Sequence, residues 1–154
     1  IFHLLKEKLF STQQLEDLLN YESGLKGISG ISNDLRQITQ AFEKGDKQAA
    51  LAIDMFVHSV AGHAAKMVAS LGGLDVLVFT AGIGENSALI RERVCLKLAY
   101  LGIRIDKNNN NLGRADTIIS KDDSQVDCLI VRAREDLMIA FECFEKLTNS
   151  QICF

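Results

Sequence analysis

The chain has 154 residues, 47% apolar and 24% charged, which is the balance of a globular protein with a real core and excludes a disordered chain. Seventeen Lys and Arg against twenty Asp and Glu leave a formal charge of −3, so there is no basic excess to neutralise a nucleic-acid backbone. No apolar run approaches the ~18 residues of a membrane span, so neither nucleic acid nor membrane is expected as a partner.

The first segment, IFHLLKEKLF, reads as the tail of a helix. It is broken by Lys6, Glu7 and Lys8 and has no small-residue cleavage site, so it is not a secretion signal. The chain opens on Ile1, and it is expected to be a piece of a longer protein. Ser11 or Thr12 can cap the next helix, with an amide or acid three to four residues on. Gly24, Gly27 and Gly30 then recur every third residue among serines. Each would cost about 1 kcal/mol inside a helix, which predicts a structured Gly-rich loop at 23–30. Asn33 or Asp34 can cap a helix through Leu35, Ile38 and Phe42, ended by Gly45.

Asp46 opens the longest predicted helix, 46–71. Ala49, Ile53, Phe56, Val57, Val60, Ala64, Met67, Val68 and Leu71 fall on one stripe at helical spacing. The other face carries Asp54, His58, Gly62 and Lys66. His58 and His63 read as surface or interface residues, and Asp54 and His58 are spaced to pair. Gly72-Gly73 end this helix.

The period then changes. Residues 75–81, DVLVFTA, form a continuous apolar run that suits a strand covered on both faces. It enters a glycine turn at Gly82-Ile83-Gly84, and Asn86 or Ser87 can cap a helix bearing Leu89, Ile90, Val94, Leu98 and Leu101. Gly102 ends it, and Ile103 and Ile105 can be extended. The run Asn108–Asn111 reads as a polar loop without evident chemistry. A second buried strand is predicted at Cys128–Val131, and Glu135 opens a last helix through Leu137, Ile139, Phe141, Phe144 and Leu147. The result is a helical segment over 1–71 and a strand–helix–strand–helix part over 72–154, an α/β arrangement with a parallel strand pair. Two strands are too few for a stable covered sheet, so the remaining strands are expected outside this chain. Cys95, Cys128, Cys143 and Cys153 form no C-x-x-C pair and lie far from the histidines. Free thiols in a reducing, cytoplasmic compartment are expected, and no zinc site.

The segment with chemical content is TAGIGENS. Glycines after a strand let backbone approach a ligand, and a following helix start offers free amides. The segment lacks the Gly-Lys-Ser/Thr of a phosphate loop and the third glycine of a dinucleotide fingerprint. From the residues alone, a nucleotide cradle and a tight turn without ligand both stand.

DVLVFTAGIGENSALIRERV resembles the adenosine-motif signature of the acetate kinase family. SGLKGISGISNDLRQI resembles that family's segment ending in Asp-x-Arg, and AREDLMIA its Glu-containing start of the last helix. The three occur in the family's order and span nearly the whole chain. The resemblance implies the C-terminal portion of such an enzyme, with a partial ribonuclease-H-like domain of the actin, sugar-kinase and chaperone-ATPase superfamily. It implies reversible transfer of the ATP γ-phosphoryl to acetate with Mg²⁺, giving acetyl phosphate and ADP, in a homodimer joined through C-terminal domains. It places Asp34 and Arg36 beside the nucleoside, Gly82, Ile83, Gly84 and Asn86 around the adenosine, and Glu135 near magnesium. Chemically, Arg36 can stack on a purine, Ile83 can wall it, Asn86 can make polar contacts, and Glu135 is a hard oxygen ligand.

Each residue also has a purely structural role open to it. Asp34 and Asn86 can be helix caps, Arg36 a surface charge, and Glu135 a favourable charge at a helix start. The family commonly has Pro-Thr-Asn before the acid, and here Arg132-Ala133-Arg134 stand there, able to pair with Glu135 or to sit near phosphate. The family's acyl pocket, phosphate loop and transfer residues precede everything in this chain. No catalytic residue is therefore assigned, and the chain alone is expected to be inactive. A propionate or butyrate kinase portion, a non-catalytic adenine-nucleotide module and a dimerisation element are the alternatives.

Overall fold

Short polar side chains start most helices in the computed structural model, which describes residues 1–7 and 9–148. Ser11 accepts from the Gln14 amide and its own N–H donates to Gln14 Oε1, a reciprocal cap that opens α2 (Thr12–Asp17) after α1 (Phe2–Lys6). A π-helical turn, Leu18–Glu22, follows. Asp34 caps α4 (Leu35–Glu43) through the Arg36 amide, and Asp46 caps α5 (Lys47–Leu71) through the Ala49 amide.

The expected loop at 23–30 contains a helix, α3 (Gly24–Ser29). Two of the three glycines stand at its ends, where they help: Gly24 begins it at φ +59° and Gly30 closes it at φ +68°. Only Gly27 sits in the interior, so the cost of glycine falls once.

The chain divides into two compact units, Ile1–Ser70 and a second beginning at Leu71. In the first, Leu15, Leu35, Ile38, Ala49, Ala52, Ile53, Val57 and Ala61 are buried. The long stripe of α5 is thus covered only along its first half. Met67 and Leu71, in its last turns, are exposed.

The second unit is built on a three-stranded sheet of order β1-β3-β2, with β1 (Val76–Phe79), β2 (Thr117–Ile118) and β3 (Asp127–Ile130). β1 and β3 pair in parallel, Leu77 opposite Cys128 and Phe79 opposite Ile130. The expected parallel pair is present. The third strand, β2, runs antiparallel to β3 and was too short to show a period in sequence. Ile105 makes a single antiparallel bridge to Ser120. β3 is central and buries Cys128 and Ile130, whereas β1 is an edge with Val76 and Val78 exposed. The expectation of a strand covered on both faces therefore fails for β1.

Between β1 and β3 run α6 (Ala81–Asn86), α7 (Ala88–Lys97), a 3₁₀ turn (Ala99–Leu101) and α8 (Lys107–Leu112). Ser87, not Asn86, caps α7, by accepting from the Ile90 amide. The supposed loop Asn108–Asn111 is α8. Asp106 caps it through the amides of Asn108 and Asn109, and Gly113 closes it in the left-handed region. Asparagine is a poor helix former, but a good cap at one end, a glycine at the other and the burial of Asn110 outweigh that. α9 (Glu135–Thr148) starts where expected, yet none of its residues is buried, and Leu137, Ile139, Phe144 and Leu147 are exposed.

Among the described residues no helix is long and apolar enough to cross a membrane. Cys95, Cys128 and Cys143 are free thiols, and Cys153 lies outside the described residues. Donating a hydrogen bond to Cys128, together with burial, pushes the Cys95 thiol up.

Candidate functional site

Residues 80–87 leave β1 by an abrupt reversal. The residue that makes it is Ala81, at φ +59°, not one of the glycines. An alanine in the left-handed region costs about 1–2 kcal/mol, and such strain gathers where function holds a backbone in place. The predicted glycine turn is consequently the helix α6, with Gly82 and Gly84 inside it.

The two glycines do different work. A Cβ on Gly84 would stand 3.2 Å from the carbonyl carbon of Phe79 and 3.5 Å from its Cα, so Gly84 lets α6 lie against the end of β1. A Cβ on Gly82 would meet nothing within 4 Å. Gly82 is therefore not demanded by packing, and the space over it is open. Next to it Ile83 is 41% exposed, an apolar wall facing solvent. Asn86 spends one amide hydrogen on Gly82, with Nδ2 donating to its carbonyl oxygen at 2.8 Å, so it ties the helix to itself.

α6 is held by a side chain of α7 and by a backbone amide of the segment before α9. Glu85 Oε1 accepts the Ala133 N–H at 2.8 Å, joining α6 to the segment that precedes α9. Arg91, on α7, is 1% exposed; its Nη1 donates to the carbonyls of Gly84 and Glu85 at 2.8 and 2.7 Å. Its Nε and Nη2 donate to Asn110 Oδ1 and O, both at 2.7 Å. Asn110, fully buried, donates from Nδ2 to the Ala88 carbonyl at 2.9 Å. Burial pulls the Arg91 guanidinium below its ordinary pKa, but it remains a cation.

Neither Arg91 nor Asn110 stands among the residues expected from sequence. The signal for Arg91 was present: with Val94, Cys95 and Leu98 three, four and seven residues on, it occupies the buried stripe of α7. For Asn110 no signal existed, since four identical asparagines conceal which one is enclosed.

Glu135 is the first residue of α9 and is exposed. Of the two cations before it, Arg134 pairs with a different carboxylate. Arg134 Nη2 donates to Asp116 Oδ2 at 2.9 Å, and the Arg132 N–H to Asp116 Oδ1 at 3.2 Å. These bonds, the backbone one first, hold the Asp116 carboxyl below its usual range. Among the described residues no three His, Cys, Asp or Glu side chains gather into a metal site. Mg²⁺ takes one or two carboxylates and fills its shell with water and phosphate oxygens. Glu135 fits one such position and does not form a site.

In the first unit, Asp34 and Arg36 are paired with each other. Arg36 Nε donates to both carboxylate oxygens at 3.0 and 3.1 Å, and Nη2 to Oδ2 at 2.6 Å. The Arg36 side chain is 88% exposed, so the pair fixes a guanidinium plane that is open to solvent. Hydrogen bonds from the Arg36 side chain, then from its amide, hold the Asp34 carboxyl below its usual value. Two surface hollows in the second unit, one beside Cys95 and Leu96 and one at 71–76, include none of the candidate site residues expected from sequence.

A profile of the acetokinase family matches residues 1–141. The chain belongs to that family. It is 46% identical over 143 residues to an acetate kinase of Rippkaea orientalis, a match covering 93% of this chain and 35% of that protein. It superimposes on the crystal structure of Porphyromonas gingivalis acetate kinase with a TM-score of 0.84 at 35% identity, covering 96% of this chain and 37% of that one. With a Francisella tularensis propionate kinase the TM-score is 0.80 at 41% identity, over 90% of this chain and 35% of that one. The α/β fold expected from sequence is the one these acetokinase-family structures share. The chain spans about a third of the length of the relatives it matches.

Proposed function

We propose that this chain is the C-terminal part of an acetate kinase and supplies its adenosine-binding wall. The observation that carries this is the free space over Gly82, a helix glycine that packing does not require, beside the exposed apolar Ile83. A purine laid there would meet backbone and an aliphatic side chain without a Cβ in the way. The first unit by itself presents Arg36, held flat by Asp34, with a solvent-open plane of the kind that stacks on a purine, the role the family resemblance gives it. Asn86 keeps its carbonyl oxygen and one amide hydrogen for polar contact, and Glu135 serves as one carboxylate for the nucleotide's Mg²⁺.

The whole protein would transfer the ATP γ-phosphoryl to acetate, reversibly, giving acetyl phosphate and ADP. Such transfer depends on positioning and on charge neutralisation at the γ-phosphate. The residues proposed here only bind, so the 154-residue chain by itself has no turnover in this account. The enzyme would be a cytoplasmic homodimer joined through the domain to which this chain belongs. A propionate kinase is the second reading, favoured by the 41% identity to the protein of that name.

Gly82→Val in the intact protein tests the adenosine wall. It should abolish protection by adenine nucleotide against thermal unfolding and leave the ligand-free melting temperature in place, since the added side chain enters open space. Unchanged nucleotide affinity would put the nucleotide elsewhere. Acyl-chain preference, measured with acetate against propionate, separates the two readings.

A further inference from the structure

Arg91 is the largest fully buried side chain among the described residues, and the four acceptors it binds are neutral oxygens. A permanent cation is enclosed without a carboxylate on any of those bonds, an arrangement that a structural role alone would seldom favour over an apolar side chain. Its fork is divided between two elements. One nitrogen, Nη1, takes the carbonyls of Gly84 and Glu85 at the end of α6, and the others take Asn110 on α8. A six-residue helix leaves its last carbonyls without partners inside the helix, so it depends on outside donors for its attitude. Glu85, gripped by Arg91 at its carbonyl, in turn grips Ala133 with its carboxylate.

We propose that Arg91, braced by Asn110, is a positioning residue for nucleotide binding, setting the tilt at which α6 presents Gly82 and Ile83. The proposal rests on the adenosine role given to α6 above. Arg91 touches no ligand itself. It acts through the Gly84 and Glu85 carbonyls, and only a planar, multi-donor group spans both elements. A lysine would keep the charge and lose the span.

The test is steady-state kinetics and thermal melting of the intact protein carrying Arg91→Lys, Asn110→Ser or Asn110→Asp, with Gly82→Val alongside. Arg91→Lys and Asn110→Ser should raise the KM for the adenine nucleotide roughly tenfold, the scale of a lost hydrogen bond to a charged group. The KM for the acyl substrate should stay at the wild-type value. Asn110→Asp keeps an oxygen facing Arg91 Nε but sets a second oxygen against the Ala88 carbonyl that the Asn110 amide now serves, so its nucleotide KM should rise as well. A normal nucleotide KM in folded Arg91→Lys and Asn110→Ser overturns the proposal. So does a parallel rise of both KM values with a falling melting temperature, or failure of both variants to fold, since the pair would then hold the unit and not the tilt. Gly82→Val separates the two failures: if it raises the nucleotide KM while Arg91→Lys does not, only the positioning role falls. If neither does, the adenosine role of α6 falls with it.

Discussion

Asp34 does two things with one carboxylate. It caps α4 through the Arg36 amide at 2.9 Å and holds the Arg36 guanidinium with three further contacts. Both favour its ionised form, so its folded pKa lies below the ordinary 3.8. A lowered carboxylate pKa stabilises the fold fully above the unfolded value and loses that contribution as pH falls through the folded value. Asp34→Ala should therefore lower the melting temperature near neutrality, and the difference from wild type should close well below pH 3.8. Melting curves of the two proteins across that range check this; a gap that persists in strong acid would mean the carboxylate's charge is not what stabilises α4. The same pair shows how far a residue was legible. The cap could be read from Asp34 preceding an apolar period, but the Arg36 contact could not, because both partners lie at the surface where sequence pattern is silent.

α6 is the element on which most depends, and it was the one least visible in sequence. Two glycines after a strand suggested a turn; the backbone places the left-handed residue at Ala81 and makes the rest helical. Glycine signals freedom, and the use made of that freedom is decided by neighbours. Phe79 decides it at Gly84, and nothing in this chain decides it at Gly82. Gly84→Ala should cost about 1–3 kcal/mol, as expected of a group forced into a filled space. Gly82→Ala should be neutral or stabilise by up to about 1 kcal/mol, because it adds helix propensity where there is room. Denaturant unfolding of both variants decides, and equal losses would mean that both glycines serve packing. Elsewhere, strong periods were readable, as in α5, α7 and the β1–β3 pair. The two-residue β2 and the asparagine helix α8 were not, since they are made by pairing and burial rather than by pattern.

At the scale of the whole molecule, apolar surface is left uncovered in particular places. Val76 and Val78 on β1 are exposed, as are Leu137, Ile139, Phe144 and Leu147 on α9. Period and composition predicted these side chains to be inside, and among the described residues nothing covers them. The folded elements were thus legible from sequence where the burial they require lies within the chain. At β1 and α9 they formed as strand and helix but stayed exposed. The proposed nucleotide wall would likewise be only one side of a working site. A crystal structure of the intact protein with ADP tests it most directly. The adenosine should lie against Gly82 and Ile83 of α6, with Gly84 and Glu85 still bound by Arg91. An adenosine seated away from α6, with the space over Gly82 empty or filled by the protein's own side chains, would contradict it.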